Sequence, residues 1–449
     1  MKITKTALLA AIACAFGSQG WASEPTTSAN SYGYYAAESA PVAGQAGKNV
    51  RLASSEMAKV IPASCSCTDA PISSCDTGSG AGAGLCDGDG SCDSASGGRD
   101  PWRLFANDPL GLTIGGWSNL GYHSANTNGN FNNYADHVQL QQQWLYAEKV
   151  ADGSSGLGFG GRMDYLYGTD GPDTQAFGIP NNHWDNSWDN GGAYGHAIPQ
   201  LYAEAAYGNM SVKVGHFFTI VGNEVVAATG NFFYSRQFTF YNAEPFTHTG
   251  ALTTYKLDDD TTLWNGYVTG WDSGFEHNGD AYLGGFSRKL GDNATLIYTS
   301  TLGRFNKNYN YGFFSGAGGN ERGQIHSAVL TLGLTDKLKY IAQNDYLYTN
   351  DANGTGIRNT FGSIHYLIYA LNDKVSLGSR SEWFNISSET GGIRNADLYN
   401  QTAGINYRIN PNLIVRPETR WVWDKERIGF NENRGSSQTF FGMDAIFTF

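Results

Sequence analysis

Charged side chains recur at every second position in several segments of the chain, opposite apolar and aromatic side chains. Arg416, Glu418 and Arg420 follow one another in this way, and Trp421 and Trp423 occupy the alternate positions. Successive side chains of a β-strand point to opposite faces, so this spacing places the charges on one face. Guanidinium and carboxylate groups gathered on one wall can line a water-filled passage and act on dissolved ions.

The same residue types do not form a catalytic or metal-binding group. Residues 156–161 match G-x-G-x-x-G, but they lie in a period-two strand with no helix to meet a pyrophosphate. His326 and Ser327 are adjacent on a strand, so they point to opposite faces and cannot act as base and nucleophile. We therefore predict a protein that is not an enzyme and that has no cofactor or metal. Other histidines without metal-ligand spacing are His183, His196, His216, His248 and His365.

Period-two alternation extends over most of the chain beyond residue 111. We count sixteen strand-like segments, starting near 112, 138, 157, 199, 211, 249, 262, 281, 294, 324, 337, 361, 374, 398, 413 and 438. Seven short turns alternate with eight longer polar connections, which is typical of a transmembrane barrel. The prediction is an all-β, antiparallel, up-and-down transmembrane β-barrel of about sixteen strands over 108–449, with fourteen to eighteen left open.

Composition agrees with a barrel in a membrane. Of 449 residues, 16% are charged and 14% aromatic, the mean hydropathy is −0.37, and the net charge is −12. An outer belt in contact with lipid can hold very few charges, which accounts for the low charged fraction. The acidic balance argues against a nucleic-acid partner, and no run of 18 apolar residues predicts a membrane-spanning helix.

Strand-end aromatics predict two girdles at the membrane interfaces. One girdle would lie toward the long loops and the other toward the short turns. The first comprises Tyr165, Tyr167, Trp271, Trp383, Trp421 and Trp423, and the second Tyr146, Tyr207, Tyr255, Tyr407 and Phe449.

The N-terminal part of the chain comprises a predicted export signal followed by a separate segment. Residues 1–22 have a basic start, a short apolar stretch and a small-x-small cleavage pattern, which predict a signal peptide. Residues 23–107 are rich in Ala, Ser and Gly, and we expect them to be largely disordered. Five cysteines there favour disulfides over a zinc site, with a pairing that the sequence leaves open. They are Cys65, Cys67, Cys75, Cys86 and Cys92.

A family resemblance is carried by three stretches of the chain. Residues 214–228 (VGHFFTIVGNEVVAA), 231–250 (NFFYSRQFTFYNAEPFTHTG) and 270–272 (GWD) are similar to the OmpL-like β-barrel porin family. The resemblance implies a channel in the outer membrane of a Gram-negative-type envelope, in contact with outer-membrane lipid. General porins, which this arrangement resembles, are homotrimers. Their constriction loop follows the fifth strand, and segment 219–248 has that place here.

We therefore expect a porin for passive diffusion of small hydrophilic solutes or ions, narrowed by segment 219–248. A surface loop with solvated charges, or an inserted loop packed by Phe232, Phe233 and Tyr234, is the alternative reading of this segment. The alternative function is an outer-membrane anchor that binds a surface or envelope partner, the latter through Cys65–Cys92. For either function, the sequence leaves open whether residues 23–100 hang in the periplasm, where the topology places them, or plug the lumen. The predicted constriction and lumen residues are Arg162, Asn223, Glu224, Arg236, Glu244, Arg380, Glu382, Arg416, Glu418 and Arg420.

Overall fold

A computed structural model describes residues 102–105, 111–126, 131–190, 192–306, 320–389, 395–429 and 435–449. These residues form sixteen antiparallel strands in one closed barrel. The predicted signal peptide and all of the cysteines lie outside the described residues. The strands are β1 Thr113–His123, β2 Gln139–Lys149, β3 Gly158–Gly168, β4 Gly195–Tyr207, β5 Met210–Phe218, β6 Thr247–Lys256, β7 Thr261–Val268, β8 Asp280–Lys289, β9 Ala294–Asn306, β10 Glu321–Gly333, β11 Leu338–Asn350, β12 Gly356–Ala370, β13 Val375–Ser387, β14 Ala396–Asn410, β15 Leu413–Asp424 and β16 Ser437–Thr448, with helix α1 Phe238–Ala243 between β5 and β6.

Closure of the barrel joins the first strand to the last. Trp117 pairs with Thr448 and Gly121 with Asp444 across this seam. Each strand is hydrogen-bonded to the strands before and after it in the chain. The sheet therefore has no free edge, which is the condition for a sheet to cross a bilayer that offers no water to backbone groups.

The connections confirm the predicted alternation of turns and loops. All seven predicted turns join β2–β3, β4–β5, β6–β7, β8–β9, β10–β11, β12–β13 and β14–β15 at one end of the barrel. The tightest is Gly208-Asn209, where Gly208 has a φ of 56°, a left-handed conformation that suits glycine. At the other end the β11–β12 connection, 351–355, is shorter than the longest turn, 150–157, so loop length alone does not separate the two ends.

Side chains sort between the two faces of the sheet as the alternation predicts. On β15, Arg416, Glu418 and Arg420 are buried in the barrel, whereas Trp423 points outward and is 45% exposed. On β16 the buried Asp444 alternates with the exposed Met443 and Phe447. The outer face is therefore predominantly apolar, as a lipid-facing wall requires.

Two of the predicted girdle aromatics are instead buried inside. Tyr146 lies on the inner face of β2 because it shares the parity of Glu148, and the Arg162 guanidinium lies 4.5 Å from its ring centroid. Trp271 follows the end of β7 and stacks on Phe305 with ring centroids 4.3 Å apart. The girdle prediction is wrong for these two residues.

Residues 102–105 join the barrel from the side of the short turns. The Trp102 backbone N–H donates to Asn412 Oδ1 at 2.8 Å, and Asn412 Nδ2 donates to the Trp102 carbonyl at 2.8 Å. The Trp102 ring stacks on the outward-facing Phe447 with centroids 6.0 Å apart. Trp102 therefore lies against the outside of the barrel at its turn end. Among the described residues, no helix has the length and apolar character needed to cross a membrane.

A charge on the lipid-facing surface should destabilise the barrel. Met443 is near the middle of β16 and 42% exposed. We expect Met443→Arg to lower the free energy of unfolding by about 2–4 kcal/mol, because an arginine near the bilayer midplane is poorly solvated. Urea unfolding in lipid vesicles, followed by tryptophan fluorescence, measures the change. Met443→Leu is the control, and equal stability of the two variants would show that this position does not face lipid.

Candidate functional site

The segment between β5 and β6 folds into the barrel. Every residue of 219–246 is buried or half-buried, and α1 is buried throughout. The predicted segment extended to 248, but Thr247 and His248 belong to β6. The segment contacts the far wall of the barrel and therefore crosses the lumen. The two stretches of wall that hold it are β2 and β11–β16.

Two wall carboxylates bind the backbone of this segment. Glu418 on β15 accepts hydrogen bonds from the N–H groups of Tyr234, at 2.8 Å, and Ser235, at 3.1 Å. Glu382 on β13 accepts from the N–H groups that begin α1, those of Phe238 at 3.0 Å and Thr239 at 2.8 Å. The first N–H groups of a helix have no partner within it and carry partial positive charge. A carboxylate from the wall is thus the cap of this short helix.

Three wall arginines bind carbonyl groups of the same segment. Arg416 Nη1 donates to the carbonyls of Ala228, at 2.9 Å, and Asn231, at 2.6 Å. Arg380 Nη1 donates to the Ser235 carbonyl at 2.8 Å. Arg420 Nη1 donates to the Arg236 carbonyl at 3.1 Å, and its guanidinium carbon lies 4.5 Å from the ring centroid of Phe238. The acidic wall residues therefore bind backbone N–H groups of the segment, and the basic wall residues bind its backbone carbonyls.

The charges of the segment and of the wall are in direct contact. Glu224 Oε1 lies 2.5 Å from Arg380 Nη1, and Arg416 forms a bidentate pair with Asp444 at 2.8 and 2.5 Å. Sequence reasoning expected acidic groups on the segment to face a basic wall across water. The structure instead has an ion pair, and the predicted lumen residues Glu382 and Glu418 place carboxylates on the same wall. Much of the expected transverse field is thereby neutralised locally.

The remaining predicted residues lie at different places. Arg236, in the segment, donates to the carbonyls of Tyr234 and Val226 at 3.1 and 2.8 Å. Glu244 follows α1 and accepts from Gln343 Nε2 at 2.7 Å, and Asn223 is also buried. Arg162 is set apart from these contacts because it pairs with Glu148 and Asp164 on β2 and β3.

The family model described as "Putative beta-barrel porin-2, OmpL-like" matches residues 111–449. The chain belongs to this porin family.

Solved structures of three outer-membrane proteins share the fold of the porin. OmpT of Vibrio cholerae, in a trimer form, has 10% identity and a TM-score of 0.54, covering 75% of this chain and 99% of that chain. The anion-selective porin from Comamonas acidovorans has 10% identity and a TM-score of 0.52, covering 75% and 99%. The outer membrane channel DcaP of Acinetobacter baumannii has 11% identity and a TM-score of 0.50, covering 75% and 97%. No curated protein sequence matches the chain.

These matches confirm the predicted family, the sixteen-stranded barrel and the outer-membrane location. They also confirm that the chain is a porin, and family and fold point to a channel rather than to an enzyme. At such low identities the structural likeness establishes the fold alone.

Sequence reasoning missed several residues that hold the segment of the porin. Tyr366 on β12 donates from its hydroxyl to Glu224 Oε1 at 2.9 Å. Arg358 on β12 pairs with Glu321 at 2.6 Å and donates to the Asn242 carbonyl at 3.5 Å. Both have the inward parity of β12, but the sequence placed the start of this strand near 361, beyond Arg358. If the predicted strand had begun before Arg358, the alternation would have placed Arg358 on the inner face.

The interior of the porin is less polar than the alternation predicts. One buried apolar cluster includes Phe217 on β5, Phe238 in α1, Phe384 on β13, Val422 on β15 and Phe440 on β16. Inward positions near the loop ends of the strands thus carry aromatic and aliphatic side chains. They pack against the inserted segment and bury apolar area, which stabilises its position.

A buried carboxyl at the base of loop 169–194 should make stability depend on pH. Burial raises the pKa of Asp170 to about 7, and its carboxylate accepts from Gln142 Nε2 at 2.7 Å. Because the folded state then binds the proton more tightly than the unfolded state, stability falls as pH rises from about 4 to about 7. The slope from this group is at most about 1.4 kcal/mol per pH unit.

Asp170→Asn isolates this contribution because it keeps the shape and removes the titration. We expect the variant to lose less stability than the wild type between pH 4.5 and pH 7 in urea unfolding. Parallel curves for the two proteins would mean that Asp170 does not titrate in this range.

Proposed function

We propose that the protein is a passive-diffusion porin in which segment 219–246 is the constriction, admitting small hydrophilic solutes and ions. The observation that carries the proposal is the attachment of this segment to the far wall by Glu382 and Glu418. A surface loop would have its backbone N–H groups solvated by water and would need no carboxylate from the barrel wall. A segment fixed across a lumen limits the size of the solute that passes.

Water access beside the segment is supported by arginine N–H groups without protein acceptors. In the described part of the chain, Nε and Nη2 of Arg420 and Nε of Arg380 are buried and have no hydrogen-bond partner. Buried donors of this kind are usually satisfied by water. Of the three wall arginines that bind the segment, Arg380 and Arg416 form ion pairs, and Arg420 forms none with the described residues. The proposed path for solutes therefore runs beside these groups, along β13 and β15.

Loss of the wall carboxylates should loosen the constriction. We expect Glu382→Gln together with Glu418→Gln to give larger and more variable single-channel conductance in planar bilayers. Each charged hydrogen bond to the backbone contributes about 1.5–3 kcal/mol, so its weakening frees the segment. Glu148→Gln is the matched control, since Glu148 is a buried carboxylate that pairs with Arg162. Conductance equal to wild type in the double variant would contradict the constriction role.

Removal of the Arg420 charge should change ion selectivity. We expect Arg420→Gln to shift the reversal potential in a KCl gradient toward greater cation preference, because a cation beside the path is lost. The control is Arg322→Gln, an exposed arginine on the outer face of β10. An unchanged reversal potential would remove Arg420 from the path.

Channel measurements also decide between a pore and an anchor. Stable open-channel steps after reconstitution support the porin, and a folded but silent barrel would support an anchor that binds an envelope partner.

We further propose that residues 1–22 are cleaved as a signal peptide, that residues 23–107 form a periplasmic extension, and that the porin assembles as a homotrimer. The contacts of Trp102 on the outside of the turn end favour an extension over a plug.

A further inference from the structure

Two carboxyl groups meet where the end of segment 219–246 reaches the barrel wall. Glu244 directly follows α1, and Asp345 lies on the inner face of β11. Both side chains are buried. Gln343 Nε2 donates to the two carboxyl groups, to Glu244 Oε1 at 2.7 Å and to Asp345 Oδ2 at 3.0 Å. A single amide group therefore brings these two residues together, and they are called the carboxyl pair.

The carboxyl pair lacks a positively charged partner. Among the described residues, no arginine, lysine or histidine forms an ion pair with either member. Two arginines on the neighbouring wall are bound by other carboxylates, Arg380 by Glu224 of the segment and Arg358 by Glu321 on β10. The charge of the pair is therefore not balanced in the way that the other buried carboxylates of the lumen are balanced.

The charged groups that act most strongly on the carboxyl pair are themselves acidic. Glu224 in the segment acts on Glu244, and Glu382 on β13 acts on Asp345. The wall also supplies a neutral donor, because Ser327 Oγ on β10 donates to Asp345 Oδ1 at 2.6 Å. These surroundings disfavour a second negative charge on the pair.

Hydrogen bonding leads to the same conclusion. Two ionised carboxylates are both acceptors, and Glu244 Oε2 has no donor among the described residues. This oxygen lies against the backbone of Gly222, where a Cβ atom would collide with it. A proton on Glu244 provides the missing donor, because the two carboxyl groups of the pair are in hydrogen-bonding contact. Carboxyl groups that share a site in this way hold one proton between them.

We propose that Glu244 and Asp345 share one proton, that this proton fastens the end of segment 219–246 to β11, and that its loss releases the segment there. The ligand of the site is the proton itself. In the part of the chain that the structure describes, no group of three or more histidine, cysteine or acidic side chains is placed to hold a metal ion. The inference rests on the proposed constriction and makes its attachment depend on pH.

The direction of the pH dependence follows from the surroundings of Glu244. Burial, and then the neighbouring Asp345 carboxylate, raise the pKa of Glu244 well above its usual range. The attached segment therefore binds the proton more tightly than the released segment, in which the side chain meets water. Attachment is complete at low pH, and it is lost as the pH rises through the raised pKa.

Hydrogen exchange of the porin in lipid nanodiscs tests the attachment without relying on conduction. In the wild type, exchange in peptides covering 238–246 should increase between pH 6 and pH 10, after correction for the chemical exchange rate. The increase should reach about tenfold per pH unit, which is the slope for one proton. In Glu244→Gln and in Asp345→Asn an amide donates across the pair, so protection should not depend on pH. Glu148→Gln is the matched control and should have the wild-type profile, since Glu148 is a buried carboxylate paired with Arg162.

Conductance in planar bilayers gives a second readout. Wild-type conductance should become larger and more variable over the same pH range, and conductance of the two amide variants should stay constant. A barrel that shows pH-dependent exchange but never conducts supports the proton-held attachment and contradicts the proposed channel. A conducting barrel whose exchange does not change with pH contradicts the attachment and leaves the channel in place.

Three further results would overturn the inference. They are a wild-type pH profile in either amide variant, loss of that profile in Glu148→Gln, and protection that follows added calcium chloride or EDTA instead of pH. The last result would mean that a cation rather than a proton joins the carboxyl pair. Heat-modifiable gel migration shows that each variant is folded, and the two amide variants test the pair independently from the segment and from the wall.

Discussion

Backbone N–H and C=O groups must find hydrogen-bond partners wherever water is excluded, and this constraint shapes the porin twice. In the wall it is met by closing the sheet through β1 and β16. The same constraint applies inside the barrel, because the irregular backbone of segment 219–246 lies away from bulk water. Glu382 and Glu418 then supply the acceptors that the β-ladder supplies elsewhere. The inserted segment is therefore held chiefly through its backbone.

The buried charges follow from the same loss of water. A guanidinium or carboxylate inside the barrel must be paired or hydrogen-bonded, or its desolvation would be strongly destabilising. Arg380 and Glu224 are therefore in contact, as are Arg416 and Asp444. This explains why charged residue types in the lumen need not produce an open transverse field. In the proposed constriction, ions would sense the charge that is left after pairing, and Arg420 is the clearest example.

The outer face of the barrel has the opposite requirement, because contact with lipid favours apolar side chains over polar ones. Apolar side chains cover the middle of β3–β5 and β16, as contact with lipid requires. Polar side chains on the outer face of β9–β14 have hydrogen-bond partners within the barrel instead. Ser300 Oγ donates to the Ile325 carbonyl at 2.8 Å, and Gln401 Nε2 donates to Ser379 Oγ at 2.8 Å.

The sequence by itself determined the strands, the turns and the side on which most side chains lie. Period-two alternation and turn residues are local, so Arg416, Glu418 and Arg420 could be placed inside the barrel from their spacing alone. Insertion of segment 219–248 was expected only from its place after the fifth strand and its resemblance to general porins. The partners of these residues were decided by the tertiary structure, because they join distant parts of the chain, such as Glu418 and Tyr234, which are 184 residues apart. Contacts of this kind depend on register and closure, which no local pattern records.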